Sequence, residues 1–248
     1  RMSRGLGDVY KRQETSRIGC AQVQNDWIQC TPWNNPKEKG MGIGWTFAQS
    51  GAAEYGLWVA TDGKRFVNEL ANRKVRADAI MVLKGEGKSA VAICTKPNLK
   101  AFEEARPGML QKLLEQQIIK EYKSLDEIAA DYKMPVDTLK ATVAEFNKAV
   151  ETKSDPAFGR YINNEQTPLA EGPWYAAEMS PKVHHCMGGL VTDLQCRVID
   201  VVDGKPVPGL FAAGEATGGV HGAVRLGSCA ILDCLVNGRI AGQQAAKA

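Results

Sequence analysis

Residues 209–231 read GLFAAGEATGGVHGAVRLGSCAI, and the fold turns on this stretch. Gly209-Leu-Phe-Ala-Ala-Gly-Glu215 is an apolar strand ending in a glycine and a carboxylate. A carboxylate at a strand's carboxyl end can accept hydrogen bonds from a polyol, and glycines let the backbone approach a ligand closely. The glycine-rich turn 216–222 follows, and Arg225-Leu-Gly-Ser-Cys-Ala-Ile231 opens a helix. The unpaired N–H groups and partial positive charge of that helix face whatever lies at its start. Strand, glycine turn and helix in this order predict an α/β unit with a ligand at the strand's end.

Working outward, residues 230–246 form the closing helix, and 198–202 with 210–213 form strands around the Asp203-Gly204 turn. Residues 56–69 predict a hairpin of two short strands around Asp62-Gly63. Residues 72–83 are helical in pattern, and 89–94, rich in small and branched residues, suit a buried strand. Three helices are expected between 98 and 153. Ser124-Leu-Asp-Glu127 gives the second a capping box, and Leu139, Val143, Phe146 and Val150 give the third one buried face. Residues 153–173, rich in Asp, Asn, Pro and Gly, form a linker.

The 31 basic and 28 acidic side chains are scattered along the 248 residues, which leaves no stripe for a polyanion. Residues 128–139 have the rhythm of a helix-turn-helix, but Asp137, Glu145 and Glu151 offset Lys140 and Lys148, so no nucleic-acid partner is expected. No apolar run reaches the ~18 residues of a membrane span. The seven cysteines never fall at C-x-x-C spacing, so they give no metal or covalent haem site. Residues 1–13, with Asp8-Val9-Tyr10-Lys11-Arg12-Gln13, resemble the translation of a sequencing-library adaptor. They are set aside, with the expectation that the gene product extends upstream of Glu14.

The order His184-His185-Cys-Met-Gly-Gly189, Gly209–Glu215, Val220–Gly227 and Gly238–Gly242, together with Arg65-Phe-Val-Asn-Glu-Leu-Ala-Asn-Arg73, resembles the fumarate reductase/succinate dehydrogenase flavoprotein family. The nearest branch is that of the soluble flavocytochrome c and urocanate reductase proteins. The resemblance implies the carboxyl-terminal part of a two-domain, Rossmann-like FAD-binding α/β flavoprotein with an α+β capping domain. Residues 14–30 would be a residue of the FAD domain, 31–156 the cap and 157–248 the second half of the FAD domain.

It implies FAD as cofactor, bound by Gly188, Gly189, Gly214, Glu215, Gly227, Ser228, Ala230 and Ile231. It implies further that His184 and Arg225 clamp a substrate carboxylate, with His185 beside them, and that Arg73 protonates the alkene carbon of a 2-enoate opposite the one receiving hydride. The partners implied are a small carboxylate and an external electron donor, a cytochrome or flavin protein or domain. A planar guanidinium on a carboxylate withdraws charge from a conjugated double bond, which favours such a reduction. Taken singly, His221 reads as structural.

The sequence departs from fumarate chemistry at the second carboxylate. Thr31-Pro32 stands where the family has His-Pro. An ungapped count from Arg65 puts Ala48, Gln49 and Ala52 at the family's Thr, Glu and Arg positions. Val224, Ser228 and Cys229 depart at the flavin rim as well. Trp45 and Phe47, with Trp27 and Trp33, either line an aromatic substrate pocket or pack a core. The expected substrate is therefore a monocarboxylic enoate. A 3-ketosteroid-type dehydrogenase and a non-catalytic homologue are the alternatives. The Gly-x-Gly-x-x-Gly of a pyrophosphate site is absent from these residues, so weak binding of FAD by the 248 residues alone is expected.

Overall fold

The computed structural model describes residues 6–248, so the first five residues of the adaptor-like stretch lie outside it. In chain order the elements begin with α1 (Leu6–Arg17), β1 (Gln22–Val23), β2 (Ile28–Asn34), a π-helical segment (Thr46–Ala53) and β3 (Leu57–Ala60). Then come α2 (Arg73–Gly85), β4 (Ala90–Thr95), α3 (Lys100–Ala105), α4 (Met109–Glu115), β5 (Lys120–Tyr122), α5 (Leu125–Asp131) and α6 (Val136–Thr152). The chain finishes with β6 (Trp174–Cys186), β7 (Gly189–Leu190), β8 (Arg197–Ile199), β9 (Pro206–Phe211) and α7 (Cys229–Ala245). Two compact units result: a central one, Cys30–Lys182, and a terminal one made of the residues up to Gln29 with Val183–Ala248.

The central unit is built on β3, β4, β6 and β2 in spatial order, with β5 also paired to β6. Its strands are antiparallel where β3 meets β4 and β4 meets β6. Alternate residues feed two separate cores, as a pleated sheet dictates. Trp58, Ala92, Cys94, Tyr175 and Ala177 face one core with Phe47, Ile80, Leu99, Phe102 and Leu113. Leu57, Val59, Val91, Ile93, Trp174 and Ala176 face the other with Ile128, Leu139, Val143, Phe146 and Val150. β4 is buried along its whole length, which explains its small and branched residues. Residues 157–182, placed by sequence with the flavin domain, pack here instead. Ile162, Leu169, Trp174 and Ala176 complete the second core, so the crossing between units falls at Lys182 rather than at residue 156.

Two local expectations change. The first of the three helices is split into α3 and α4 by Pro107 and by Gly108, whose φ of 74° is left-handed. The hairpin loses its second strand: Val59 and Arg65 make only an isolated bridge. The Glu69 carboxylate accepts from the Trp58 backbone N–H at 3.2 Å, taking a donor on the edge where a returning strand would pair. The capping box forms, Ser124 Oγ accepting from Glu127 N–H at 3.4 Å and Glu127 reaching back to the Lys123 N–H at 2.7 Å.

The terminal unit has a much smaller core, Cys20, Leu190 and Val198 with Val207, Leu210 and Ala212. β1 pairs with β7 and β8 with β9, the latter through a bulge. α7 packs on β9 and on the 3-10 turn Gly214–Ala216, yet exposes Ile231, Leu232, Leu235 and Val236. Among the described residues no helix is long and apolar enough to cross a membrane.

Candidate functional site

In the terminal unit, the end of β6 presents His184 and His185, while β9 delivers its carboxyl end to Glu215. His184 Nε2 lies 2.7 Å from Arg225 Nη2. A guanidinium can only donate, so in this hydrogen bond the imidazole nitrogen is the acceptor. Arg225 is buried; its Nη1 donates to the Leu226 carbonyl at 2.9 Å, and its own carbonyl accepts from Gln29 Nε2 at 3.1 Å. Its Nε and the Gln29 Oε1 are buried without hydrogen-bond partners. An unmet buried donor on a cation costs about 1–3 kcal/mol. No carboxylate of the described residues forms an ion pair with Arg225.

His185, expected beside a substrate, is engaged otherwise. It is buried, and its Nδ1 sits 3.2 Å from Glu215 Oε1. Its ring meets that of His221 edge-on at 5.6 Å, and His221 Nε2 is 3.3 Å from Asp233 Oδ2. Burial first, then the charges of Arg225 and His221, hold the His185 pKa below its ordinary value against the opposing pull of Glu215. A neutral His185 donating to Glu215 fixes that carboxylate while leaving 44% of its side chain exposed. Sequence reasoning found Glu215, but not the His185, His221 and Asp233 chain behind it, because those contacts close only in three dimensions.

Three of the glycines expected at the cofactor are also tightly packed within the chain. A Cβ at Gly188 would lie 2.2 Å from the Gln24 carbonyl oxygen, and one at Gly189 2.4 Å from that of Ala216. Gly214 is left-handed at φ 69°, with Cys234 Sγ 2.7 Å from its would-be Cβ. These three positions need glycine so that the chain can pack on itself. Beside them stand groups that also fit a dinucleotide: the exposed Glu215 carboxylate for hydroxyls, and the start of α7. There Gly227 and Ser228 are exposed, Ala230 is half-buried, and Ser228, at φ 65°, supplies no side-chain cap. Ile231 is exposed and its N–H turns back to the Ser228 carbonyl at 3.1 Å.

In the central unit Arg73 is the first residue of α2, after Asn72, whose side chain accepts from the Val75 N–H. Arg73 is half-buried, its guanidinium carbon 5.5 Å from the centre of the Trp33 ring. The segment leading to it is pinned by a buried ionic cluster that sequence reasoning missed. Arg65 Nε and Nη2 each donate to Glu69 at 2.8 Å, and Nη2 also reaches Asp155 at 2.8 Å. Arg160 Nη1 is 3.3 Å from Glu69 and donates to the Gly56 carbonyl at 2.6 Å. Burial alone lowers the Arg65 pKa, but the bonds to Glu69 and Asp155 outweigh it and push it up. Arg65 and Glu69 stand four apart in the sequence, a visible signal; Asp155 and Arg160 are some ninety residues away and give none.

Of the aromatic candidates, Phe47 is wholly buried in the core, the packing alternative, while Trp45 is half-buried under the Arg106 guanidinium at 5.1 Å. Thr31 is buried, its hydroxyl bonded to Asn34 and within 3.3 Å of the Lys182 carbonyl. A groove of about 810 Å³ between α6 and residues 154–158 contains none of the sequence-predicted site residues.

The family model described as FAD binding domain matches residues 10–231. The acrylate reductase flavoprotein subunit of Shewanella woodyi is 34% identical over 238 residues, spanning 92% of this chain and 45% of that protein. The open conformation of a flavocytochrome c3 fumarate reductase superposes with a TM-score of 0.67 at 33% identity, over 99% of this chain and 40% of that one. A 3-ketosteroid delta1-dehydrogenase from Sterolibacterium denitrificans shares the fold, with a TM-score of 0.74 at 19% identity, over 95% of this chain and 46% of that one. The chain spans less than half the length of these relatives.

Proposed function

This chain belongs to the FAD-binding domain family, and from that premise we propose that it forms the substrate-handling part of an FAD-dependent reductase of monocarboxylic 2-enoates. The observation that carries the reading is Arg225: buried, without a carboxylate partner among the described residues, and joined to His184. Such a guanidinium binds a carboxylate in fork geometry, and fixed donors there stabilise the charge that grows as the conjugated double bond is reduced. FAD, when bound, supplies the hydride. Glu215, held by His185, accepts hydrogen bonds from its hydroxyls, and the start of α7 favours negative charge nearby. Arg73 then protonates the second carbon. The two electrons used per turnover come from an external donor, a cytochrome or flavin protein or domain.

Two features favour one carboxylate over two. Thr31 spends its hydroxyl on Asn34 within its own unit, and Ala52 places a methyl group where a guanidinium is expected in fumarate enzymes. The relative in Shewanella woodyi is named for acrylate, a monocarboxylic enoate. A neutral ketosteroid brings a hydrogen-bond acceptor but no counter-charge to a buried guanidinium, so the steroid alternative has only the fold in its favour.

The test is a steady-state comparison on the flavoprotein carrying this chain, with reduced viologen as donor and acrylate, aryl-acrylates and fumarate as acceptors. At least one monocarboxylic enoate is expected to exceed fumarate in kcat/KM by about tenfold, since burying one polar group unpaired costs about 1–3 kcal/mol. Preference for fumarate over every monocarboxylic enoate refutes the reading, and activity retained in Arg73→Gln refutes the acid.

A further inference from the structure

Three residues after Arg73, one turn along α2, lies a second arginine that the reaction so far leaves unused. Arg76 is 5% exposed, and its guanidinium carbon lies 4.7 Å from the centre of the Trp33 ring and 5.4 Å from that of Trp58. Trp33 therefore contacts both guanidinium groups, the Arg73 carbon being 5.5 Å from the same ring. Arg76 Nη1 donates to Gln49 Oε1 at 2.8 Å and to the Glu69 carbonyl at 2.7 Å, while its Nε is buried with no hydrogen-bond partner. Among the described residues no carboxylate side chain hydrogen-bonds it. A buried cation so placed is expensive, by several kcal/mol, and a leucine or methionine would fill the same space more cheaply. Contact with two indole rings recovers about 1–2 kcal/mol of that. Core packing alone does not account for the charge.

We propose that Arg76 is the positioning and relay residue for the acid, returning a proton to Arg73 after each turnover. The idea rests on the reading of Arg73 as acid given above. An arginine that has protonated a carbon is left neutral and must be recharged before it can act again. An N–H bond of Arg76 breaks, and the proton joins the lone pair of the neutral Arg73 guanidine. Arg76 then recovers its proton from solvent, directly or through Glu54 at the end of the π-helical segment. The groups acting on Arg76 are Arg73 on its own helix, Glu54 beyond the π-helical turn and Glu69 on the preceding loop. Burial first, and then the Arg73 charge, bring its pKa down to about 10, against the pull of Glu54 and Glu69. This makes it a readier donor than an arginine in water.

The experiment compares Arg76→Gln, Arg76→Lys and Arg73→Gln in the FAD-loaded flavoprotein carrying this chain, measuring kcat, KM and the pH profile of kcat. Arg76→Gln is expected to lower kcat by about 10²-fold, the usual worth of a positioned proton donor, with KM nearly unchanged. Arg76→Lys is expected to keep most of kcat while its alkaline limb moves to lower pH, since a buried ammonium gives up its proton earlier. A merely structural Arg76 would lower stability and leave that limb in place. An inactive Arg73→Gln beside an Arg76→Gln with wild-type kcat and profile overturns the relay. If Arg76→Gln does not fold, an unmoved alkaline limb in Arg76→Lys overturns it equally. Undiminished activity in Arg73→Gln instead refutes the acid assignment beneath it.

Discussion

Replacing Glu69 by alanine should be among the most damaging single changes in the central unit. The carboxylate accepts two bonds of 2.8 Å from Arg65 and one of 3.2 Å from the Trp58 N–H, and it lies 3.3 Å from Arg160. Glu69 and Arg160 side chains have no solvent exposure, and that of Arg65 has 6%. Without Glu69, two buried guanidinium groups share the single carboxylate of Asp155. Leaving a buried charge uncompensated costs about 3–5 kcal/mol. For a unit of about 150 residues this corresponds to a drop in Tm of roughly 6–20 °C. Near-ultraviolet circular dichroism is the suitable probe, because Trp33, Trp45, Trp58 and Trp174, four of the five tryptophans, belong to this unit. Activity should fall as well, since the same cluster anchors the segment entering α2 at Arg73. A triple replacement of Arg65, Glu69 and Arg160 by Met, Leu and Met should lose far less stability than Glu69→Ala, because it removes the charges together. A Glu69→Ala loss below about 1 kcal/mol would refute the reasoning, since only a well-solvated cluster behaves that way.

Three further outcomes follow from the terminal unit. His185 should remain neutral at pH values where an ordinary histidine is half-charged, and Glu215→Gln should depress its titration further. Because its folded pKa is lowered, it contributes stability that is present above about pH 6.5 and lost as pH falls through the folded value; histidine NMR titration checks both, and a midpoint at or above 6.5 contradicts them. Arg225→Ala should lower kcat/KM for enoic acids by about 10²–10³-fold while sparing FAD content, read from steady-state kinetics and absorbance. Gly189→Ala should destabilise by about 1–3 kcal/mol, because its Cβ would meet the Ala216 carbonyl at 2.4 Å; a melt unchanged within a degree would contradict that close approach.

Local chemistry was readable wherever a few neighbouring residues decide it. Asn72 announces the start of α2 and Ser124 that of α5, and the alternating face of α6 is written in Leu139, Val143 and Phe146. Reading stopped where a distant partner intervenes. The strand expected after Gly63 fails because Glu69, steadied by Arg160 from far along the chain, claims the Trp58 N–H. In the same way the motif implies His184 with Arg225 as a carboxylate clamp and His185 beside them, but the partner of each ring is not written in the sequence. Only the fold turns one ring toward Arg225 and the other toward Glu215.

The self-packed glycines have a consequence for how such chains are recognised. Gly188, Gly189 and Gly214 are demanded by main chain and side chains of this same chain. A descendant that abandoned its cofactor would be under pressure to retain all three, and under none to keep Glu215 exposed or Arg225 uncompensated. The three glycines are thus fixed by the fold itself, whereas nothing in the packing requires Glu215 to stay exposed or Arg225 to lack a carboxylate partner among the described residues.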